Sequence, residues 1–349
     1  MNAPHSSAAI SAEMLAPATQ PGSNALHISV VVPTWRRPDL LRRCLDALCA
    51  QDLPGHAFEV IVCDDGPTAD THRLVEAVAR RQQTAGPAIH YLPVTATQGP
   101  AGARNQGWQR ARAGIVAFTD DDTVPDPGWL RQGLMAMDDP ALGAVSGKVV
   151  MPLPDPPTDY ALNESGLTTA EFVTANCIVR RDALRAVGGF DERFTMAWRE
   201  DSDLQFKLLE NGYRIGRAEQ AVVVHPLRPA PPGISVRQQR KVYFDALLYR
   251  KHPSRYRRHI SAHPPWNYFV IVACLAVMAI AAIAQWPTVG GIALLVWAAL
   301  TLSFAWRRLR HTSRRPSHVL EMVLTSIAIP PLSVYWRLLG AWHFRVAFL

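Results

Sequence analysis

Residues 115–122 read IVAFTDDD, a short apolar run that closes on a threonine and three adjacent carboxylates. A run of this length, with no polar alternation, is the pattern of a strand buried on both faces. Neighbouring carboxylates repel one another unless a cation or hydrogen-bond donors offset them. Hard divalent cations take oxygen ligands and often share them with substrate phosphates. A metal bridging a diphosphate therefore suits the stretch, although a solvated acidic turn or a helix start would account for DDD taken alone. The surrounding chain decides between them.

Upstream, 28–33 (ISVVVP) reads as a buried strand, and Pro38-Asp39 opens a helix whose Leu40, Leu41, Cys44, Leu45, Leu48 and Cys49 recur at helical spacing. A second strand, 58–63 (FEVIVC), ends at Asp64-Asp65-Gly66, and Leu74, Val75 and Val78 mark another amphipathic helix. Residues 89–92 predict a third strand, 99–113 a glycine-containing loop and helix, and 115–119 a fourth strand. Strand and helix alternate throughout, which predicts an α/β fold with a mixed, mostly parallel sheet flanked by helices. Ligands of such sheets bind beyond the carboxyl ends of the strands, and both acidic clusters lie at such ends.

Downstream the character changes. Residues 266–286 and 288–306 are apolar and free of formal charge, each about the ~20 residues needed to cross a bilayer. Arg250, Lys251, Arg255, Arg257 and Arg258 precede the pair, and Arg307, Arg308, Arg310, Arg314 and Arg315 follow it. The positive-inside rule places both flanks in the cytosol, with Trp266, Trp286 and Trp306 near the interfaces. A third apolar stretch, 319–336, is interrupted by Glu321 and Pro330-Pro331 and reads as an interfacial or re-entrant segment. With 48% apolar residues and mean hydropathy near zero, the whole chain leans towards membrane association. Its net charge of +7 suits phosphate-bearing or anionic-lipid partners. Nucleic acid is disfavoured, because the basic clusters flank apolar stretches rather than a folded reading surface. Residues 1–26, rich in Ala, Ser and Pro, predict a disordered leader and not a signal peptide, so the following domain is expected in the cytosol. The five cysteines form no CxxC pair, and Cys44 and Cys49, among apolar neighbours, read as small core residues.

Taken in order, VVVPTWRRP, VIVCDDGPT, QGPAGARNQG, VAFTDDDTVPDPGWL, VGGFDERF and REDSDLQFKLLENGYRI resemble the family 2 inverting glycosyltransferases of GT-A fold over residues 28–225. Trp35 stands where Tyr is usual, and Pro67 where Ser commonly follows DDG. The resemblance implies that Pro33, Thr34 and Asp65 line a nucleoside pocket, Asp65 accepting a hydrogen bond from the base. It puts Gly99, Gly102, Arg104 and Asn105 beside the donor, with Arg104 offsetting phosphate charge. Asp120 and Asp122 match the DxD motif, Asp122 as metal ligand and Asp120 on ribose or metal, while Asp121 contacts the donor partly through water. His225 would touch the metal or the diphosphate. Glu200-Asp201 matches the ED motif, with Asp201 as the base that takes the acceptor proton. Glu200 and Asp203 would orient the acceptor or cap the helix through Leu204, Leu208 and Leu209. Residues Gly188, Gly189, Phe190 and Asp191 match an acceptor-side loop. Gln238 and Arg240 lack the Trp of the processive QxxRW motif, which implies single-sugar transfer. Arg237, Arg240 and Lys241 would face donor phosphates or the anionic membrane surface.

The expectation is a metal-dependent enzyme (Mn²⁺ or Mg²⁺) that moves one sugar from a nucleotide-diphosphate sugar to a lipid, lipid-linked or glycan acceptor at the cytoplasmic face of the inner membrane. Its predicted plan is a catalytic domain at 27–230, basic amphipathic linker helices at 231–264, a transmembrane hairpin at 265–306, and a basic loop with the interfacial segment at 307–349. A nucleotidyltransferase is a second reading, but PTWRRPDLL does not supply its glycine- and Lys/Arg-rich signature. A non-catalytic membrane scaffold is a third, against which both acidic motifs stand.

Overall fold

The computed structural model describes residues 25–96 and 99–348. The leader expected at 1–26 lies outside them, except for Ala25 and Leu26. In chain order the elements are β1 (Ile28–Thr34), α1 (Pro38–Cys49), β2 (Phe58–Asp64), α2 (Ala69–Gln82), β3 (Ala88–Pro93), α3 (Pro100–Arg110), β4 (Ile115–Phe118), β5 (Val124–Pro125), α4 (Trp129–Ala136), β6 (Leu142–Val150) and α5 (Asp159–Glu164). There follow β7 (Cys177–Arg180), α6 (Arg181–Val187), α7 (Glu200–Glu210), β8 (Arg214–Val224), α8 (Ile234–Gln238), α9 (Tyr243–Lys251), α10 (Pro253–His259), α11 (Trp266–Ile283), α12 (Pro287–Leu309) and α13 (Pro316–His343).

The strands form one sheet in the order β3-β2-β1-β4-β7-β6-β8-β5. Pairing is parallel among β3, β2, β1 and β4 and again between β6 and β8, and antiparallel at β7 and β5. Every residue of β1 and β2 is buried, as their unbroken apolar runs require. Side chains alternate between the faces of a strand. Val30, Val32, Val60 and Val62 pack beneath Leu41, Leu45 and Leu48 of α1 and Leu74 and Val78 of α2. Val31, Ile61, Val116 and Phe118 face the other way, onto Trp108 of α3, Leu184 of α6 and Leu204 and Leu208 of α7. The result is a helix–sheet–helix sandwich. Because β1 is flanked by β2 and β4, the crossover through α1 leaves to one side of β1 and the crossover through α3 returns from β3 to its other side, which opens a crevice at the carboxyl ends of β1 and β4. All five cysteines are free, and three of them are buried.

A third cluster joins Phe194, Phe206, Phe244, Leu247 and Tyr256 to Phe344 and Phe348, so the end of α13 packs on the sandwich through α7, α9 and α10. Helices α11, α12 and α13 have mean hydropathies of 2.2, 1.9 and 1.4 and are long and apolar enough to cross a membrane. Trp266, Trp286 and Trp306 are exposed at the ends of α11 and α12, where interfacial tryptophans sit. The stretch 319–336, read from its sequence as interfacial or re-entrant, lies within the 28-residue helix α13, which continues through Pro330 and Pro331. Pro330 and Pro331 forfeit two helical N–H donors, but Pro330 is buried among neighbouring helices, a setting in which such losses are tolerated. Glu321 accepts the backbone N–H of Gly233 (2.8 Å), so its charge has a partner in the sandwich.

Candidate active site

The crevice widens into a cleft of about 690 Å³, within the range of small-molecule sites. Its floor is the turn after β4. Thr123 donates from both its N–H (3.2 Å) and its hydroxyl (2.7 Å) to the Asp120 carbonyl, while Thr119 Oγ1 bonds the Ala175 carbonyl (2.9 Å). This fixes the three carboxylates in different directions. Antiparallel pairing of Val124 with Val224 carries the chain after β8 back beside that turn, so His225 meets Asp122, with Nε2 to Oδ1 at 3.5 Å. Donor atoms of Asp120, Asp122 and His225 all lie within 4.8 Å of one another. The Nδ1 of His225 is buried and makes no hydrogen bond among the described residues. Two carboxylates and an imidazole converging in this way, with an unused buried nitrogen, fit a divalent cation.

Asp121 is set differently from the expectation of a water-mediated donor contact. It is fully buried, accepts the Thr34 hydroxyl (2.7 Å) and faces Arg37 (2.9 Å). Burial pushes its carboxyl up to about 6, against the pull of Arg37 and Thr34. It ties β1 to the turn. Thr34 therefore contributes its side chain to this tie as well as lining the cleft with Pro33 and the exposed Trp35.

The two carboxylates after β2 also divide. Asp64 is inward, bonded by Tyr91 Oη (3.0 Å) and the Gly66 N–H (3.1 Å). Asp65 lines the cleft, and its Oδ2 accepts the Gly99 N–H (2.8 Å). Its Oδ1 is buried and without a partner among the described residues, and burial raises its carboxyl above the ordinary range. Gly99 is not a lining residue. At φ 101° it presents this N–H from a backbone pressed against Thr195, where a Cβ would lie 2.7 Å from the carbonyl oxygen.

Arg104 departs most from its expected part. It is 2% exposed, with Nη2 on Asp120 (2.7 Å) and Nη1 on Glu200 (3.0 Å). A guanidinium held by two carboxylates is a girder between the DDD turn and α7, set in the wall of the cleft. Burial would raise the Asp120 carboxyl, but Arg104, helped by His225 and Arg37, holds it below the usual range. Glu200 is raised by burial and by neighbouring Asp201, and its Oε2 has no partner among the described residues.

Asp201 faces the cleft from the first turn of α7, one oxygen accepting the Ser202 N–H (2.7 Å). Burial raises its carboxyl above the ordinary aspartate range. The turn that presents it hinges on Arg199, whose φ of 75° is left-handed. Its Nε donates to Asp245 on α9 (2.7 Å), as does Trp198 Nε1 (3.0 Å).

Gly189 and Asp191 do not line the cleft. Gly189 (φ 63°) lies where a Cβ would meet Asn105 Oδ1 at 2.6 Å, and Asn105 in turn holds Phe190 through its N–H and carbonyl (both 2.9 Å). Asp191 is paired with Arg193 and Lys251 (both 2.6 Å) and is held well below the usual range despite partial burial. Asp203 is buried and bound by Lys251 (2.5 Å) and His252 (3.1 Å), behind the helix rather than at its acceptor end.

Two residues escaped the sequence reading. Arg228 bonds Asp122 (3.1 Å) and Arg37 approaches it (3.7 Å). Each stands just beyond a strand that ends at the crevice, the only sequence signal they carry. Lys241, over the Trp198 ring at 5.1 Å, also lines the cleft, whereas Arg240 stacks on Trp336.

Residues 29–188 match the glycosyl transferase family 2 model, and residues 115–307 the glycosyl transferase family group 2 model. Glycosyltransferase AglE of Haloferax volcanii is 28% identical over 211 residues, 58% of this chain and 67% of that protein. The pre-mycofactocin glycosyltransferase of Mycobacterium tuberculosis is 31% identical over 226 residues, and there the match spans 60% of this chain but only 45% of the relative. The mannosyltransferase PcManGT from Pyrobaculum calidifontis, solved with GDP-Man and Mn²⁺, superposes over 91% of both chains with a TM-score of 0.57 at 22% identity, a likeness of fold. The sheet and its flanking helices are of GT-A type.

Proposed function

Because the chain belongs to the glycosyl transferase family 2 group, we propose that it moves one sugar from a nucleoside-diphosphate sugar to a lipid or lipid-linked acceptor at the cytoplasmic face of the inner membrane, with inversion at the anomeric carbon. The observation that carries this reading is the meeting of Asp65, Asp120, Asp122, His225 and Asp201 in one cleft, from four separate parts of the chain. Asp120, Asp122 and His225 would hold Mn²⁺ or Mg²⁺, the former being the ion found with the archaeal mannosyltransferase. A divalent ion there supplies positive charge against the diphosphate as it departs.

The remaining work falls to the chain's own groups. The partnerless Oδ1 of Asp65 accepts an N–H of the base. Arg228 and Arg37, which lie against Asp122 at 3.1 and 3.7 Å, are placed to meet diphosphate oxygens. Asp201 takes the acceptor hydroxyl proton as the acceptor oxygen bonds the anomeric carbon and the bond to the diphosphate breaks. Burial keeps its pKa above that of a free aspartate, which makes it a stronger base. Arg104 keeps the two ends of this arrangement in register. His259 and Ile260 line the cleft shortly before α11 begins, which supports an acceptor delivered from the membrane side.

The test is a screen of nucleotide sugars with full-length protein and Mn²⁺ or Mg²⁺, read as released nucleoside diphosphate. Release of pyrophosphate instead would identify nucleotidyl transfer. Asp122→Ala is expected to abolish both donor hydrolysis and transfer while the protein stays folded. Near-normal turnover in that variant refutes the reading.

A further inference from the structure

A second cavity, of about 450 Å³, lies where the sandwich meets the apolar helices, and it shares no lining residue with the acidic cleft. One wall is the start of α5, another the start of α11, and the third the final turn of α12. Its chemistry is two-sided. Tyr268 and Phe304, stacked edge to face at 5.3 Å, and Leu162 make an apolar side that runs onto the exposed surface of α11 and α12. The other side carries Arg307, Arg308 and His311.

These three differ in what they have left to give. Arg308 is committed to Asp159 (2.7 and 3.2 Å), Thr325 (2.8 Å) and Ser326 (3.0 Å), so its charge is cancelled and its position fixed. Arg307 and His311 are exposed at the mouth and make no hydrogen bond or ion pair among the described residues. The cavity thus pairs an unspent guanidinium and an imidazole N–H with an aromatic slot, at the basic end of helices suited to a bilayer. Basic pockets between such helices bind phosphate head groups.

We propose that this cavity binds the phosphate of an anionic membrane lipid, with the phosphate oxygens on Arg307 and His311 and the first carbons of the lipid over Tyr268 and Phe304. The site needs the helices to lie in a membrane but does not depend on glycosyl transfer at the acidic cleft. Loss of either function leaves the other testable.

The experiment is native mass spectrometry of the full chain in detergent, titrated with phosphatidylglycerol, phosphatidylcholine or inorganic phosphate. Retention of phosphatidylglycerol over phosphatidylcholine is expected, and Arg307→Gln should reduce it about fivefold, the size of one cation acting on a lipid phosphate. His311→Ala should reduce it further. Arg310→Gln removes the same charge three residues on, outside the cavity, and should leave binding unchanged. An equal loss in Arg310→Gln would mean diffuse attraction and overturn the site, as would equal retention of the two lipids. Inorganic phosphate binding without lipid preference would make it a free-anion site and overturn the lipid assignment.

Discussion

Replacing Arg104 with Met tests the arrangement at its mechanical centre. The guanidinium is enclosed and holds Asp120 at 2.7 Å and Glu200 at 3.0 Å, so its loss strips the buried Glu200 and the half-buried Asp120 of this counter-charge, leaving Asp120 only the weaker pull of His225 and Arg37. Breaking one buried ion pair costs about 3–5 kcal/mol. For a domain of roughly 200 residues, each kcal/mol lowers Tm by about 2–4 °C, giving a fall of roughly 6–20 °C. Thermal unfolding of the ligand-free full-length protein in detergent measures it. The deficit should shrink as pH falls, because Glu200, already raised by burial, takes up a proton more readily once Arg104 is gone. Adding Glu200→Gln to Arg104→Met should recover part of the loss by removing one of the two abandoned charges. Were Arg104 a free phosphate-binding cation, the variant would unfold within about 2 °C of the wild type and only its donor KM would rise. That outcome refutes the girder.

Asp201→Asn should keep donor binding yet lose transfer by at least about 100-fold, measured by calorimetry and by product formation. Asp201 works only when deprotonated and its pKa is raised, so transfer should fall on acidification with a midpoint above the ~3.9 of a free aspartate. A midpoint at or below that value removes Asp201 as the base. Gly189→Ala places a methyl 2.6 Å from Asn105 Oδ1 in a left-handed backbone, and its melting temperature should drop by an amount equivalent to at least about 1–3 kcal/mol. Because Gly189 lies outside the cleft, donor affinity of the folded fraction should be unchanged. Arg308→Ala strips Asp159 of its partner, and faster proteolysis between β6 and α5 is expected, followed on gels, with donor hydrolysis retained.

The strands β1, β2 and β4 and the helices beside them are readable because buried parallel strands are written as unbroken apolar runs with polar helix faces between them, whereas the edge strand β3 carries a weaker apolar signal. For the same reason the acidic ends of β2 and β4 could be placed at the crevice. What the sequence did not disclose depends on partners far along the chain. Asp120 and Asp121 are adjacent and identical, yet one turns to Arg104 and the other to Thr34 and Arg37, a choice made by the Thr119–Thr123 turn. Arg104 reads as a cation beside a loop until Glu200, 96 residues later, is found on its other side. Gly189 and Asp191 carry the motif of an acceptor loop, but their neighbours Asn105, Arg193 and Lys251 turn both to packing. In α13 the proline pair looks like a stop because local rules see only the two lost donors, while helices α11 and α12 pack alongside and the helix continues through the pair.

Arg308 has a mechanical meaning beyond its bonds. It knots α12 to Asp159 of the sandwich and to Thr325 and Ser326 of α13, while Phe344 and Phe348 anchor the far end of α13 beneath α9 and α10. A body fastened at two separated points cannot swivel as a bead on a string would. With the three helices in a bilayer, the mouth of the acidic cleft would ride at one altitude and one bearing over the lipid.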